Sequence, residues 1–395
     1  MQAPSRDIVT LAAGQALTGT ATSLLTSVSS LSGAYLAPSP ALSTVPVTAT
    51  VLGALLMIYP ASHLMAAMGR RKGFILKAGV GIAGSAVCCA AMVLGSFWLL
   101  VLGTFVLGLF SAFGQYYRFA ALDAARSPEE RTAAVSLVTG AGVAGGLAGP
   151  YFGSHALGLF GAVPYANAFL SLSLVCVALA LSQSFLSRQL GVTMPAAAGA
   201  VPEPTHLGKG FYVASALCAC GFAVMTLVMN AAPLSIHRSG HDLHASAIVM
   251  QVHFALMYLP SFINPWLAGL LGLRGLTAAG IVASIGGCVL ALYPDQGLNL
   301  YMLELGLAGM GWNFIFNGGT LLLARTYRES AKTRAQGVNS ILVFSANVAA
   351  SLLAGVLFDW RGWAAVNLAC LPLLAVAAWL LWHAGRSIRM PSAPA

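Results

Sequence analysis

Five residues of one apolar run, Thr104, Gly108, Ser111, Gln115 and Arg118, recur at spacings of 4, 3, 4 and 3. On a helix those spacings return to nearly the same azimuth, so the five share one face. A polar stripe on an apolar helix is expected to face protein or water, not lipid. Arg118 ends the stripe about five residues, or roughly 8 Å, from the end of its run. Two roles stay open for it: a side chain that snorkels to the interface, or a charge that attracts anionic or electron-rich groups. Glu304 is the one carboxylate placed deep inside another run. An acid there can take up and release a proton as water reaches it, or it can be a protonated glutamate held by a neighbouring helix. His253, at similar depth, is either its proton partner or a satisfied packing histidine. Thr18 and Thr22, with Gln15 and Thr26, repeat the helical spacing in the first run and offer hydroxyls to a cavity. His237, His241, Asp242 and His244 crowd one loop but find no partner cluster, so a solvated loop is expected over a metal site. Neither a GxxxxGK[ST] phosphate loop nor a nucleophile–base arrangement stands out, which argues against ATP-driven or enzymatic chemistry and implies no cofactor.

The elements that must hold these residues are membrane helices. Of 395 residues, 58% are hydrophobic and 7% charged, where a soluble protein has about 25% charged. Apolar runs of about 20 residues are long enough for helices that cross a bilayer, and too continuous for barrel strands. Twelve are expected, near 8–32, 46–67, 74–95, 97–123, 133–152, 165–187, 209–232, 244–270, 276–293, 297–323, 336–357 and 363–384. The first reads as a span, not a signal peptide, because no basic stretch precedes it. A Pro-, Ala- and Gly-rich connection, Arg188 to Gly210, separates six spans from six, giving halves 1–190 and 209–395 around a linker 191–208. With the N-terminus inside, only Arg238 and Arg361 fall in outer loops, so both termini are expected in the cytoplasm. The net charge of +9 is therefore a topology signal and not a nucleic-acid surface. All seven cysteines lie in apolar runs without zinc-ligand spacing and are expected to pack.

An internal repeat is also visible. An offset of 203 residues lays Gly69 on Gly272, Arg71 on Arg274, Gly103 on Gly306, Gly108 on Gly311 and Arg131 on Arg334. That register predicts two six-helix halves related by a pseudo-twofold axis along the membrane normal. It transfers the stripe to Leu307, Gly311, Phe314, Gly318 and Leu321, with Glu304 within about 60° of that face and Asn317 and Trp312 on its flanks. Asn313 falls opposite Glu304 and is expected to bond to another helix.

Twelve spans as six plus six, with the basic turn Gly69, Arg70, Arg71, Lys72 after span 2, resemble the major facilitator superfamily. Ser62 and Ala66 stand where its loop motif has a glycine and an acid, which leaves the inner charge latch incomplete. Asp123, Pro128 and Arg131 after span 4 are similar to its acid–Pro–Arg pattern; the counterpart in the second half, ending at Arg334, lacks the proline. Gly145, Gly149, Pro150, Gly153 and Ser154 in span 5 resemble the motif of the drug:proton antiporters, with Ser136 where a further glycine belongs and Thr104 where an arginine belongs. The resemblance implies a monomeric secondary transporter of the bacterial inner membrane, rocking between two states. It further implies a substrate path lined by spans 1, 4, 7 and 10: Thr18, Thr22, Thr104, Ser111, Gln115, Arg118, Trp312 and Asn317. Gating would fall to Arg70, Arg71, Asp123, Arg131, Gly149, Pro150 and Arg334, and proton coupling to Glu304 and His253. Gly149 is expected to accept nothing larger than alanine. Proton-coupled efflux of a small organic molecule is the first reading. Import of a metabolite, vitamin or siderophore is the alternative, and a non-transporting receptor is disfavoured by the polar stripe and the buried acid.

Overall fold

The computed structural model describes residues 5–125, 128–156, 161, 163–188, 190, 207–294, 297–327 and 332–387. Eleven α-helices account for most of them: α1 Arg6–Leu36, α2 Val45–Leu94, α3 Phe97–Ala112, α4 Tyr117–Ala124, α5 Pro128–Ser154, α6 Ala166–Gln183, α7 Lys209–Arg238, α8 Leu243–Tyr258, α9 Asn264–Leu290, α10 Leu298–Ala324 and α11 Lys332–Ser387. Among the described residues no strand forms, and eight helical segments are long and apolar enough to cross a membrane. That follows from composition: within a bilayer a backbone must satisfy its own hydrogen bonds, and a helix does so locally.

Three helices each join segments of neighbouring spans across a bend at a glycine. α2 breaks at Gly69 (φ 79°, ψ 164°), α9 at Gly272 (φ 68°, ψ 167°) and α11 at Gly362 (φ 68°). A side chain is disfavoured at such φ values, so glycine marks the turns. Gly69 and Gly272 are the first pair of the 203-residue repeat, and they share one backbone conformation. Two spans are interrupted: a 3₁₀ turn, Phe113–Tyr116, joins α3 to α4, and another, Leu259–Phe262, joins α8 to α9. Taken with these joins and bends, the described helices run in the same chain order as the expected spans. The described residues form two compact units, Met1–Ala198 with Gly240–Gln251 and Gly199–Ser239 with Val252–Ala395.

Small residues set the packing inside each unit. In the first, a side chain at Gly145 would strike the backbone of Ala16 and Thr20, and one at Gly149 would strike Ser23, Leu24 and Thr20, so α5 lies directly on α1. Ser23 Oγ donates to Gly145 O across that contact at 3.1 Å. In the second unit, Gly280 and Gly311 bring α9 and α10 together in the same manner. There α7 is tied to α11 by Asn230 Nδ2 donating to Ser351 Oγ at 3.0 Å and by Thr226 donating to Asn347.

Candidate functional site

The glycine contacts fix the true register between the halves. Gly108 of α3 lies on Thr50 and Ala54 of α2, and Gly309 of α10 lies on His253 and Met257 of α8. Thr50 to His253 and Ala54 to Met257 keep the offset of 203, but Gly108 to Gly309 is 201. The second half is thus two residues shorter before α10. Two helical residues correspond to about 200° of rotation, so the face transferred at 203 is turned over. Gly311 and Gly318 accordingly pack on Ser284 and Thr277 of α9, correcting the expected cavity face. At 201 the stripe maps onto Leu305, Gly309, Trp312, Phe316 and Gly319.

Trp312 and Phe316 then stand where the first half has Ser111 and Gln115. Four residues apart on one face, their rings lie nearly parallel, 9° apart with centroids at 5.2 Å. Phe222 of α7 meets both edge-on, at 5.1 and 4.9 Å. Trp312 is 8% exposed, and its Nε1–H is buried with no acceptor. A buried donor without a partner is costly, and it marks a place where a ligand acceptor would be accommodated. Phe222 and Phe316 are half-buried, so the trio keeps open ring surface. Below it, Asn313 is fully engaged: Nδ2 donates to Met257 O and Ser261 Oγ, both at 2.7 Å, and Oδ1 accepts from Asn264 Nδ2 at 2.7 Å. It bonds helix to helix, as its position opposite Glu304 predicts. Asn317 Nδ2 donates to the Asn313 carbonyl at 2.9 Å.

The first unit holds a residue the sequence reading passed over. Lys77, eight residues beyond the Gly69 bend, is fully buried. Its Nζ donates to Thr18 Oγ1 at 2.6 Å and lies 4.6 Å from the Phe110 ring centroid and 4.8 Å from that of Tyr117. Phe74 stacks on Tyr117, centroids 4.1 Å apart and planes 7° apart. Among the described residues no carboxylate comes within ion-pair distance of Lys77. The signal was present in the sequence: a lysine some 12 Å along a membrane helix, at 1.5 Å per residue, is too deep for a loop charge. Placing the start of span 3 at position 74 hid that depth.

The remaining predicted residues are distributed as follows. Glu304 is 2% exposed and accepts from Trp363 Nε1 of α11 at 3.1 Å. His253 is buried, its Nδ1 2.8 Å from Leu305 O of α10, while its Nε2 has no partner. Glu304 of α10 thus engages α11, while His253 of α8 engages the backbone of α10. Thr104 is buried with its hydroxyl returned to Leu100 O, and its own carbonyl accepts from Thr50 of α2. Ser111 is half-buried and bonds to Leu107 O; Thr22 is exposed and bonds to Thr18 O. The 3₁₀ turn at Phe113–Tyr116 also interrupts the uniform helix assumed for the stripe. Each 3₁₀ residue advances about 120° and not 100°. The side chains of Gln115, Arg118, Arg131 and Arg334 lie outside the described part. Arg70 Nε donates to Asp123 Oδ2 at 3.0 Å, so an acid from α4 meets the basic turn in which Ala66 replaces the local one. Arg71 is half-buried beside it in sequence. Gly149 is tighter than expected: even a methyl group there would collide with backbone of α1. Pro150 lies inside α5 without ending it. Among the described residues no histidine, cysteine or carboxylate cluster has the makings of a metal site.

The helical arrangement and the membrane-length segments define a polytopic α-helical membrane protein. An inward-facing bacterial homologue of the human lysosomal transporter Spinster superposes with a TM-score of 0.76 at 14% identity, covering 98% of each chain. The POT family transporter PepTSo also gives 0.76 at 12% identity over 98% of each. The family model of the Major Facilitator Superfamily matches residues 11–209, and the chain belongs to that family. The riboflavin transporter RfnT of Brucella anthropi is 32% identical over 380 residues, 95% of this chain and 94% of that one. An uncharacterised transporter of the same superfamily from Bacillus subtilis, YdeG, is 26% identical over 80% of this chain and 78% of its own.

Proposed function

We propose that this protein is a secondary active transporter of riboflavin or a close chemical analogue, importing it by alternating access, driven by a proton gradient. In this reading it sits in the bacterial inner membrane with both termini in the cytoplasm, where its basic loops are retained. The observation that carries the reading is the 32% identity with a riboflavin transporter along 95% of the chain. The aromatic trio supplies fitting chemistry. A flat tricyclic ring system stacks on Trp312 and Phe316, with Phe222 as an edge wall, and aromatic contacts of this kind contribute about 0.5–1.5 kcal/mol each beyond area burial. The free indole N–H of Trp312 would donate to a carbonyl at the rim of such a ring. Vitamin import therefore takes precedence over the efflux expected from the span 5 motif. Efflux keeps one supporting observation, the glycine packing of α5 on α1. The test is quenching of riboflavin fluorescence by the purified protein, followed by flux in right-side-out and inside-out vesicles. We expect saturable binding, a Kd at least about tenfold weaker in Trp312→Ala (about 1.4 kcal/mol), and uptake in right-side-out vesicles. No saturable binding of riboflavin to the wild-type protein would sink the substrate assignment, and flux only outward would restore efflux.

A further inference from the structure

We propose that Lys77 is the proton-binding residue through which this protein couples transport to a proton gradient. The inference rests on the transporter reading above and adds to it the group that carries the ion. Lys77 is wholly enclosed in the first unit. An ammonium enclosed without a counter-ion pays heavily in lost hydration, while a neutral amine has little reason to be ringed by electron-rich faces. The site offers an intermediate environment. Thr18 Oγ1 accepts from Nζ at 2.6 Å, and the π faces of Phe110 and Tyr117 stand 4.6 and 4.8 Å from it. These three groups offset part of the cost of the charged form, and no carboxylate among the described residues pins it. The charged form is thereby supported without being locked in an ion pair, which suits a group that must take up and give back a proton.

Two further observations point the same way. Lys77 lies beside the 3₁₀ turn that interrupts the fourth span: a side chain at Gly114 would come 3.7 Å from Nζ and 3.2 Å from Thr18 Cγ2. Short 3₁₀ stretches within helices commonly mark hinges, so the element that encloses the lysine is one that can shift. Behind Tyr117, Gln183 is fully buried and keeps its carbonyl Oε1 without a partner. A side chain at Gly14 would meet both Gln183 and the Tyr117 ring, so this polar group adjoins the lysine's cage. Among the described residues, the titratable groups facing the amine are the Tyr117 phenol of α4 and the Cys176 thiol of α6; α1 and α3 present Thr18 and Phe110. A proton, unlike an anionic ligand, needs no cavity beside the enclosed amine. In the cycle the Nζ lone pair takes a proton from water admitted on one side of the membrane and returns it to water on the other.

The experiment uses the full chain in proteoliposomes with riboflavin as probe. Exchange of labelled for unlabelled riboflavin is compared with accumulation under an imposed pH gradient. Lys77→Met cannot take a proton and Lys77→Arg does not release one. Both are expected to keep exchange within about threefold of wild type (~0.65 kcal/mol, since tenfold is about 1.4 kcal/mol) and to lose gradient-driven accumulation entirely. Wild-type accumulation by either variant overturns the proposal. A readout without substrate accompanies it: the pH profile of thermal unfolding of the purified protein. A group whose proton affinity changes on folding imprints a pH dependence on stability. Lys77→Met is expected to change the shape of the profile, with Thr18→Val changing it partly; profiles that superpose after a constant offset overturn the proposal. If wild type fails to bind riboflavin, the substrate assignment falls while the unfolding profile still judges Lys77.

Discussion

A methyl group added at position 149 tests whether α5 must lie on the backbone of α1. The new Cβ would sit 2.5 Å from Leu24 N and from Thr20 O, and closer still to Ser23 Oγ. Ordinary contact begins near 3.4 Å, so the two helices must part by roughly 1 Å, and core overpacking of this kind costs about 1–3 kcal/mol. For a unit of this size each kcal/mol lowers the melting temperature by about 2–4 °C, so Gly149→Ala should melt about 2–12 °C lower. Separation also stretches the Ser23–Gly145 hydrogen bond, now 3.1 Å. Gly153 provides an internal control on the same helix. A side chain there meets only Val28 Cγ1 at 3.5 Å and Leu24 Cγ at 3.7 Å, so Gly153→Ala should be near neutral. The assay is thermal unfolding in one detergent together with riboflavin flux. We expect Gly149→Leu to lose transport. Gly149→Ala indistinguishable from Gly153→Ala in both measurements would refute the argument that backbone contact, and not mere smallness, fixes residue 149.

Three further outcomes follow from the same geometry. Charge reversal at Arg70 or Asp123 alone should slow transport while shifting the melting temperature little, because a partly exposed pair contributes about 0–1 kcal/mol; the double reversal should recover flux, and failure to do so removes the pair from gating. Asn313→Leu strips partners from Met257, Ser261 and Asn264, so it should cost about 1–3 kcal/mol or more, since buried polar groups are left unpaired; an unchanged melting temperature would count against it. Glu304→Gln retains an acceptor for the Trp363 indole and should melt like wild type, whereas Glu304→Leu should lose about 1–3 kcal/mol, and equal stability of the two would show that the indole contact at 3.1 Å carries no weight.

Much of the fold was legible because membrane helices are written in composition and run length, and because bends demand glycine. Gly69 and Gly272 were paired from sequence alone, and their shared conformation gives that pairing a physical basis. The local geometry around the candidate residues was less legible, for three definite reasons. A fixed repeat offset cannot register a two-residue difference in the loop before α10, so the face was centred on Leu307, Gly311 and Phe314, with Trp312 at its flank and Phe316 unnamed. A helical wheel assumes one period, so the 3₁₀ turn at Phe113–Tyr116 was invisible to it. Topology counting treats a lysine near a span end as a loop charge, which concealed Lys77. Asn313, by contrast, was placed correctly, since its azimuth relative to Glu304 depends on one uninterrupted helix.

The two-residue slip before α10 has an evolutionary consequence. Gly108 rests on Thr50 and Ala54, and Gly309 rests on their counterparts His253 and Met257, so the helix kept its seat although the chain ahead of it is two residues shorter. The connection absorbed the difference in length, and the helix did not pass it on as a turn about its axis, which two residues would make about 200°. Close backbone contact at a glycine acts here as a key that admits one azimuth only. With the seat fixed, the remaining positions are free to diverge by substitution, and the outcome is a polar stripe in one copy and the Trp312–Phe316 stack in the other, at corresponding places. Duplicated halves can thus take up unlike chemistries while their helix seams stay superimposable, and a comparison at constant offset misses the correspondence.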